Sequence, residues 1–216
     1  IGDWSSDVCS SDLSRPQRRR VSVVGCETGR NEITCAFGDE WDIVESDDHS
    51  SSEDSSSDVA DVDLVVIVAN YVVPLATAGA WLRRDTPHLL VVFDEQAAHV
   101  GPLVVPGLTP CAHCIDEQRR VSDEYWPAIA TQLMFTPKPE TSTALRFQVV
   151  CVTLRVAQQW REGLPLHANG FRVTGSTSSD DGDVEFSVDC QCRSLTGTVS
   201  ESEDSPVIQT MTPTTM

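Results

Sequence analysis

The chain has 216 residues and carries 33 acidic against 15 basic side chains, which gives a formal net charge of −18 at pH 7. This acidic excess argues against a nucleic-acid-binding protein, because such proteins hold phosphates mainly with Lys and Arg. The acids are concentrated at the N-terminus and in two stretches, 39–63 with 11 acids and 180–204 with 8. The remainder is mildly basic and has the size of a single domain.

The first thirteen residues resemble a translated sequencing adapter, so we exclude residues 1–13 from the fold prediction. A single domain is predicted over 14–193. It carries an acidic, Ser-rich insert over 46–58, which has too little apolar surface to offset its chain entropy and is therefore expected to be disordered. The Thr- and Pro-rich residues 194–216 are expected to form a disordered tail.

Four short apolar runs follow one another in the first half of the domain, at 21–25, 41–45, 64–69 and 89–93. They are continuous rather than alternating, which indicates strands buried on both faces of a parallel sheet. The sequence shows no clear helix between the first two runs. A small helix is expected over 75–84, after Pro74.

The uncharged stretch 64–82 approaches the length of a membrane span. Asn70, Tyr71 and Pro74 interrupt it, and its first part is short and β-branched. We therefore predict no membrane contact and a cytoplasmic protein.

The sequence of the second half of the domain predicts both strands and helices. Prolines in the segment 100–107 favour an edge strand or an extended segment. Helical patterns cover 116–133, with a break before Pro127, and 142–161, where Cys151 is expected in the core. A hairpin of 171–173 and 184–188 is predicted around the polar loop 175–182. The fold class is therefore α/β, with a parallel sheet and a small C-terminal β appendage.

Four cysteines form two closely spaced pairs, Cys111 with Cys114 and Cys190 with Cys192. Two such pairs can close a tetrahedral Cys₄ site for Zn²⁺, which leaves no open position for water and is therefore structural. The spacing alone leaves other interpretations open: two disulfides, a Cys-x-x-Cys redox motif, or unpaired thiols. His113 lies between the first two cysteines and is expected to point outward.

The run from Val100 to Arg120 resembles the zinc-knuckle region of ThiF-type proteins, the relatives of ubiquitin-activating enzymes. More narrowly, it is similar to the actinobacterial branch associated with cyclodehydratases, the thiazole/oxazole-modified microcin leader-peptide-binding proteins. The residues that carry this resemblance, beside the four cysteines, are Asp116, Arg119, Arg120, Trp126, Pro127, Gln132 and Leu133. The resemblance covers roughly 59–192. It implies a ThiF/Rossmann-like fold with a zinc knuckle held by Cys111, Cys114, Cys190 and Cys192.

The nucleotide loop typical of that family is degenerate here. ThiF-type enzymes hold ATP on a Gly-x-Gly-x-x-Gly loop after the first strand, where bare backbone and a helix N-terminus receive the phosphates. This chain offers only Gly25-Cys26-Glu27-Thr28-Gly29-Arg30, in which one glycine is lost and Glu27 would repel phosphate. We therefore predict no catalytic or cofactor-binding residues and no ATP binding.

The resemblance implies a non-catalytic, zinc-stabilised scaffold that binds the leader of a ribosomal precursor peptide. Its partner would be a separate cyclodehydratase that forms azoline rings. Two alternatives are an ATP-dependent adenylating enzyme, which the damaged loop disfavours, and a Cys-x-x-Cys redox protein, which metal-bound cysteines would exclude.

Overall fold

The described part of the protein comprises residues 18–38, 40–45, 62–164 and 169–193 of a computed structural model. The adapter-like segment 1–13, the acidic insert 46–58 and the tail 194–216 lie outside these residues. Their predicted disorder, and the domain limits 14–193, therefore stay predictions.

The described residues contain seven strands and five helices. The strands are β1 (Arg20–Gly25), β2 (Asp42–Ile43), β3 (Leu64–Asn70), β4 (His88–Phe93), β5 (Ala98–Val104), β6 (Asn169–Val173) and β7 (Ser178–Asp183). The helices are α1 (Arg30–Phe37), α2 (Leu75–Arg83), α3 (Ala112–Ser122), α4 (Trp126–Leu133) and α5 (Thr143–Arg161).

All seven strands belong to one sheet with the order β2-β1-β3-β4-β5-β6-β7. The first four are parallel, and β5, β6 and β7 continue the sheet in antiparallel pairs. The predicted α/β class is confirmed, including the parallel half. The C-terminal hairpin extends this same sheet at its far edge.

The central strand β3 shows why the apolar runs are continuous. Successive side chains point to opposite faces of a sheet. Leu64, Val66 and Val68 pack into a core with α1 and α5, while Val65 and Ile67 pack into a second core with α2 and α3. Each fully buried Val or Ile stabilises the fold by about 1.5–3 kcal/mol, so a strand covered on both faces has no polar positions.

Helix α1 corrects the expectation that no helix follows the first strand. It is only eight residues long, and it begins after Gly29, whose φ of 70° lies in the left-handed region. Ile33 and Phe37, one turn apart on the same face, are fully buried against the sheet. The crossover between β1 and β2 is therefore helical.

Strand β5 was wrongly expected at an edge, since it lies between β4 and β6. Pro102 is tolerated there because β6 pairs only with Ala98, His99 and Val100. The pairing with β4 is also irregular opposite Leu90, so the missing N–H of Pro102 interrupts no ladder bond on that side.

The second strand of the hairpin also differs from its prediction. β7 spans Ser178–Asp183, inside the segment expected to be a loop, and all six of its residues are exposed. Thr174 closes the turn by accepting hydrogen bonds on its hydroxyl from the N–H groups of Ser176 and Thr177. Backbone pairing with β6 therefore holds this strand, and the start of the second acidic stretch is part of the sheet.

Helix α5 agrees with its prediction in extent but differs at one residue. Ser142 caps it by accepting a hydrogen bond from the backbone N–H of Leu145. Cys151 is exposed and is not the core residue expected. In the described part of the chain, no helix is long and apolar enough to cross a lipid bilayer.

Candidate metal centre

Cys111 and Cys114 are presented by the beginning of α3. Cys111 is the residue preceding the helix and Cys114 lies in its first turn, and both are buried. The positive end of the helix dipole favours thiolates at this position. Burial of the first turn against α2 and the sheet fixes the direction in which both sulfurs point.

The loop before this pair is held by Thr109, which is almost fully buried. Its hydroxyl donates to the carbonyl of Leu103 at 2.9 Å and accepts from the N–H of Val105 at 2.6 Å. These bonds tie the loop to the end of β5. The backbone that leads into Cys111 is therefore held in place.

Cys190 and Cys192 come from the chain beyond β7. The N–H of Cys190 donates to the carbonyl of Ser187, which makes a turn just before the pair. Arg193 forms an isolated parallel bridge with Gly107, in the loop that leads to Cys111. This bridge brings the second pair against the first.

The structure brings all four predicted cysteines together, and their sulfur atoms all lie within 4.8 Å of one another. The Sγ atoms of Cys111 and Cys190 are 3.6 Å apart, those of Cys114 and Cys192 3.5 Å, and those of Cys111 and Cys114 3.9 Å. Four sulfurs at about 2.3 Å from a tetrahedral zinc would be about 3.8 Å from each other. The four cysteines thus have the spacing of a metal site.

The same distances bear on the disulfide alternative. A disulfide requires sulfurs about 2.05 Å apart, and all four cysteines are unbridged in this arrangement. Four soft sulfur donors favour Zn²⁺ over the hard cations Mg²⁺ and Ca²⁺, which take oxygen ligands. The four cysteines are therefore close enough to hold a metal ion such as zinc.

The protonation of the cluster is uneven. Burial tends to raise the pKa of the Cys114 thiol, but the backbone N–H of Ser187 at 3.4 Å and the neighbouring cysteine groups outweigh it, so its pKa is lowered. Burial raises the pKa of Cys190 and of Cys192. A bound cation would favour the thiolate form of all four.

Other candidates from the sequence lie outside this cluster. His113 is exposed, as expected, and is not one of the four clustered residues. Cys35 and Cys151 are exposed. The Sγ of Cys26 donates to the side-chain oxygen of Asn70 at 3.2 Å, at the end of β1.

The loop after β1 holds Gly25 and Gly29, and packing explains both of these glycines. Gly25 has a φ of 101°, and a Cβ there would lie 2.0 Å from the carbonyl oxygen of Val68. A Cβ at Gly29 would lie 2.8 Å from the ring of Phe93. Both positions therefore require glycine whether or not a phosphate binds.

An open cleft of about 720 Å³ lies beside this loop. Three acidic and three basic side chains line it: Glu27, Glu32, Glu140, Arg30, Lys138 and Arg146. Arg146 is committed to Glu32, with its Nε 2.8 Å from the carboxylate. The cleft thus has a place for a ligand at the carboxyl ends of the parallel strands, but its charges largely cancel.

Neither family models nor curated proteins match this sequence. Among solved structures, the chain is similar to a heterocyclase in complex with substrate and cofactor, with a TM-score of 0.61 and 16% identity over 78% of this chain and 24% of that one. It is equally similar to the heterocyclase TruD, with a TM-score of 0.61 and 17% identity over 82% of this chain and 28% of that one. The chain thus spans about a quarter of the length of these heterocyclases.

A third similarity is to E. coli MccB with ATP, with a TM-score of 0.53 and 14% identity over 82% of this chain and 67% of that one. At these identities the comparisons establish the fold. They agree with the α/β fold class expected from the sequence.

Proposed function

We propose that this chain is a zinc-stabilised, non-catalytic scaffold that presents a ribosomally made precursor peptide to a separate cyclodehydratase in azoline biosynthesis. The observation that supports it most directly is the shared fold with two heterocyclases, one of them described in complex with substrate and cofactor. Fold alone does not fix function, so the proposal also depends on the site.

The cysteine cluster supports the structural part of this proposal. In it, zinc bound by Cys111, Cys114, Cys190 and Cys192 joins the start of α3 to the chain beyond β7. Four protein ligands leave no position for water or substrate, so such a metal contributes to folding and not to the reaction.

An exposed apolar surface around α4 supports the proposal that this chain binds a partner protein. None of the residues of α4 is buried, and residues 126–137 include no charged side chain. Tyr125 and Phe135, at the two ends of the helix, are 67% and 83% exposed. Apolar side chains clustered in this way mark protein contacts.

We assign the α4 surface to the cyclodehydratase. In the heterocyclases, the part that this fold matches is about a quarter of a longer chain. In our proposal, the contacts that this part makes within such a chain are made here between two proteins.

The test is to search the neighbouring genes for a cyclodehydratase and for a short precursor rich in Cys, Ser and Thr, and to co-express both with this chain. We expect the partner to co-purify and the precursor to lose one water per ring, as read by mass spectrometry. Phe135→Asp should abolish co-purification and ring formation. Phe147→Asp, at a 61% exposed position on α5, is the matched control and should leave both intact. Ring formation at full rate without this chain would refute the scaffold.

The competing function is ATP-dependent adenylation, which the cleft beside α1 and the similarity to MccB favour. ATP–pyrophosphate exchange with the precursor distinguishes the two, and the scaffold predicts no exchange above background. Magnesium-dependent exchange that Arg146→Gln abolishes would favour the enzyme.

A further inference from the structure

A second, smaller cavity lies between α3 and the antiparallel end of the sheet, and none of the four cysteines lines it. Its volume is about 70 Å³, about half of the roughly 150 Å³ cavity that accepts a benzene ring. Aliphatic side chains form its apolar wall: Val72, Val73, Leu75, Leu90, Val92 and Ile115. It therefore has room for a short branched aliphatic group.

Three glycines leave backbone bare along the rest of the cavity, namely Gly101, Gly170 and Gly182. The first two face each other across β5 and β6, and a Cβ at Gly170 would lie 3.1 Å from the carbonyl carbon of Gly101. Gly101 and Gly170 therefore leave no room for a side chain between β5 and β6, whereas a Cβ at Gly182 would meet nothing within 4 Å.

Arg119 is the cation of this cavity. Its guanidinium lies over the ring of Trp126, 4.9 Å from the centroid, and it forms no ion pair with any described residue. Burial lowers the pKa of Arg119, while the charges of Asp181 and Asp116 act in the opposite direction. A half-buried guanidinium that forms no ion pair with a described residue can bind a carboxylate with two parallel hydrogen bonds.

Two carboxylates line the same cavity without pairing with Arg119. Asp116 accepts a hydrogen bond from the indole N–H of Trp126 at 2.7 Å. Asp181 pairs with the Nδ1 of His99, whose Nε2 lies 3.7 Å from Asp94. Opposite charges therefore line one small apolar cavity and are not joined across it.

A ligand with a single charge would satisfy only part of this arrangement. A plain carboxylate would pair with Arg119 but would add to the negative charge of Asp116 and Asp181. An amine would pair with a carboxylate and be repelled by Arg119. A molecule that carries both charges beside an aliphatic group complements all three features.

We propose that this cavity binds a small aliphatic α-amino acid in its free, zwitterionic form. Only the aliphatic side chain enters the cavity, since about 70 Å³ is too small for the whole molecule. Arg119 holds the carboxylate, and Asp181 receives the ammonium group. The site uses none of the four cysteines, and its test needs neither the precursor peptide nor the cyclodehydratase, so its failure would leave the scaffold proposal standing.

Isothermal titration of the full-length, zinc-loaded protein with L-valine tests the proposal. We expect saturable binding at millimolar concentration. Isovalerate, which lacks the ammonium group, and isobutylamine, which lacks the carboxylate, should each bind at least about tenfold more weakly, a difference of about 1.4 kcal/mol. Absence of saturable binding by valine, or equal binding by either analogue, would overturn the proposal.

N-acetylvaline and valinamide separate a free amino acid from a peptide end, since each keeps only one of the two charges. Both should bind at least about tenfold more weakly than valine. Equal affinity for either one would overturn the assignment to a free amino acid and indicate a chain terminus instead.

Two variants locate the site, each with a matched control. Arg119→Gln and Asp181→Asn should weaken valine binding at least about tenfold. Arg120→Gln and Asp183→Asn should bind as the parent does, because Arg120 pairs with Glu117 on the exposed side of α3 and neither Arg120 nor Asp183 lines the cavity. Arg119→Gln loses the stacking on Trp126, and this loss could unfold the variant. In that case Asp181→Asn, on the exposed strand β7, still tests whether the cavity binds valine. Unchanged binding in Asp181→Asn and in a folded Arg119→Gln would refute the site.

Discussion

Cys111 and Cys190 are 79 positions apart in the sequence, and their sulfur atoms lie 3.6 Å apart. Cys111 precedes α3, whereas Cys190 follows the edge strand β7, whose six residues are all exposed. A metal between them would close a long loop and hold an edge of the sheet that has little apolar burial of its own. The stability of that edge should therefore depend on the metal.

The first prediction is that purified, reduced protein binds about one zinc per chain and that Cys111→Ser loses it. Loss of a structural metal belongs to the most destabilising class of changes, so the free energy of unfolding should fall by about 4 kcal/mol or more. Elemental analysis and thermal unfolding provide the two measurements. Cys151→Ser is the matched control, since Cys151 is exposed and outside the cluster, and it should change neither.

Two results would contradict the zinc prediction. One is reduced protein that unfolds cooperatively with no metal. The other is intact mass spectrometry that finds two disulfides among Cys111, Cys114, Cys190 and Cys192, which would favour the disulfide interpretation.

The second prediction concerns Gly25, at the end of β1. A Cβ there would lie 2.0 Å from the carbonyl oxygen of Val68, and the φ of 101° disfavours any other residue. Gly25→Ala should lower the free energy of unfolding by about 3 kcal/mol or more, since backbone must move. Gly163 has a φ of 66°, but a Cβ there would meet nothing within 4 Å. Gly163→Ala should therefore lower the free energy of unfolding by only about 1–2 kcal/mol.

Urea denaturation of both glycine variants checks this. Equal destabilisation of the two variants would mean that the positive φ alone causes the loss of stability. The close contact between the new Cβ and Val68 would then be relieved by a small shift of the backbone. The expected result also means that a Gly25 variant cannot test nucleotide binding, because any loss of binding would follow from damage to the fold.

The third prediction uses the hydrogen bond in which the hydroxyl of Tyr71 donates to Glu95 at 2.7 Å. This bond raises the pKa of Tyr71 from its ordinary value of 10.0 to about 12, and burial and the charges of Glu95 and Asp94 add to the effect. Because the folded-state pKa is raised, the stabilisation is fully present below pH 10 and is lost as the pH rises through about 12.

Ultraviolet titration of tyrosinate measures this shift directly, since the chain holds only two tyrosines. Tyr71→Phe should remove the step near pH 12, and Tyr125→Phe should leave it. Glu95→Gln keeps an acceptor but removes the negative charge, so it should move the step to lower pH. An unmoved step in Glu95→Gln would mean that the carboxylate is not its cause.

The features that were predictable from the sequence are those that depend on local patterns. The continuous Val and Ile runs identified β1, β3 and β4, since burial on both faces favours apolar residues at consecutive positions. The two cysteine pairs were recognisable by spacing and by resemblance before any fold was known. Ser142 and the apolar pattern after it placed α5 to within one residue.

The features that were missed depend on contacts between distant parts of the chain. Helix α1 buries only Ile33 and Phe37, too few for a visible helical pattern. Strand β7 has no apolar pattern, because pairing with β6 holds it. The charges of the small cavity also depend on such contacts: Arg119 lies on α3 and Asp181 on β7, in the acidic stretch 180–204.

The last prediction concerns the acidic insert, through the deletion of residues 50–57. Ile43 of β2 and Leu64 of β3 both pair with Val21, on opposite sides of β1. Parallel strands are joined by a crossover of about a dozen residues or more. The connection 44–63 has twenty residues, and the deletion leaves twelve, which still suffices. Closure entropy also changes slowly with loop length. We therefore expect an unchanged melting temperature and unchanged zinc content.

Asp63, which ends the same connection, provides the matched control. Its carboxylate accepts a hydrogen bond from the backbone N–H of Arg20 at 2.7 Å. Asp63→Ala leaves that N–H without this partner and should lower the free energy of unfolding by about 1–3 kcal/mol. This one substitution should therefore destabilise the protein more than the deletion of eight residues. A deletion that destabilises the protein more than Asp63→Ala would mean that residues 50–57 pack against the sheet. The division of this chain into a mildly basic body and acidic appendages would then be wrong, since the net charge of −18 would belong in part to the folded domain.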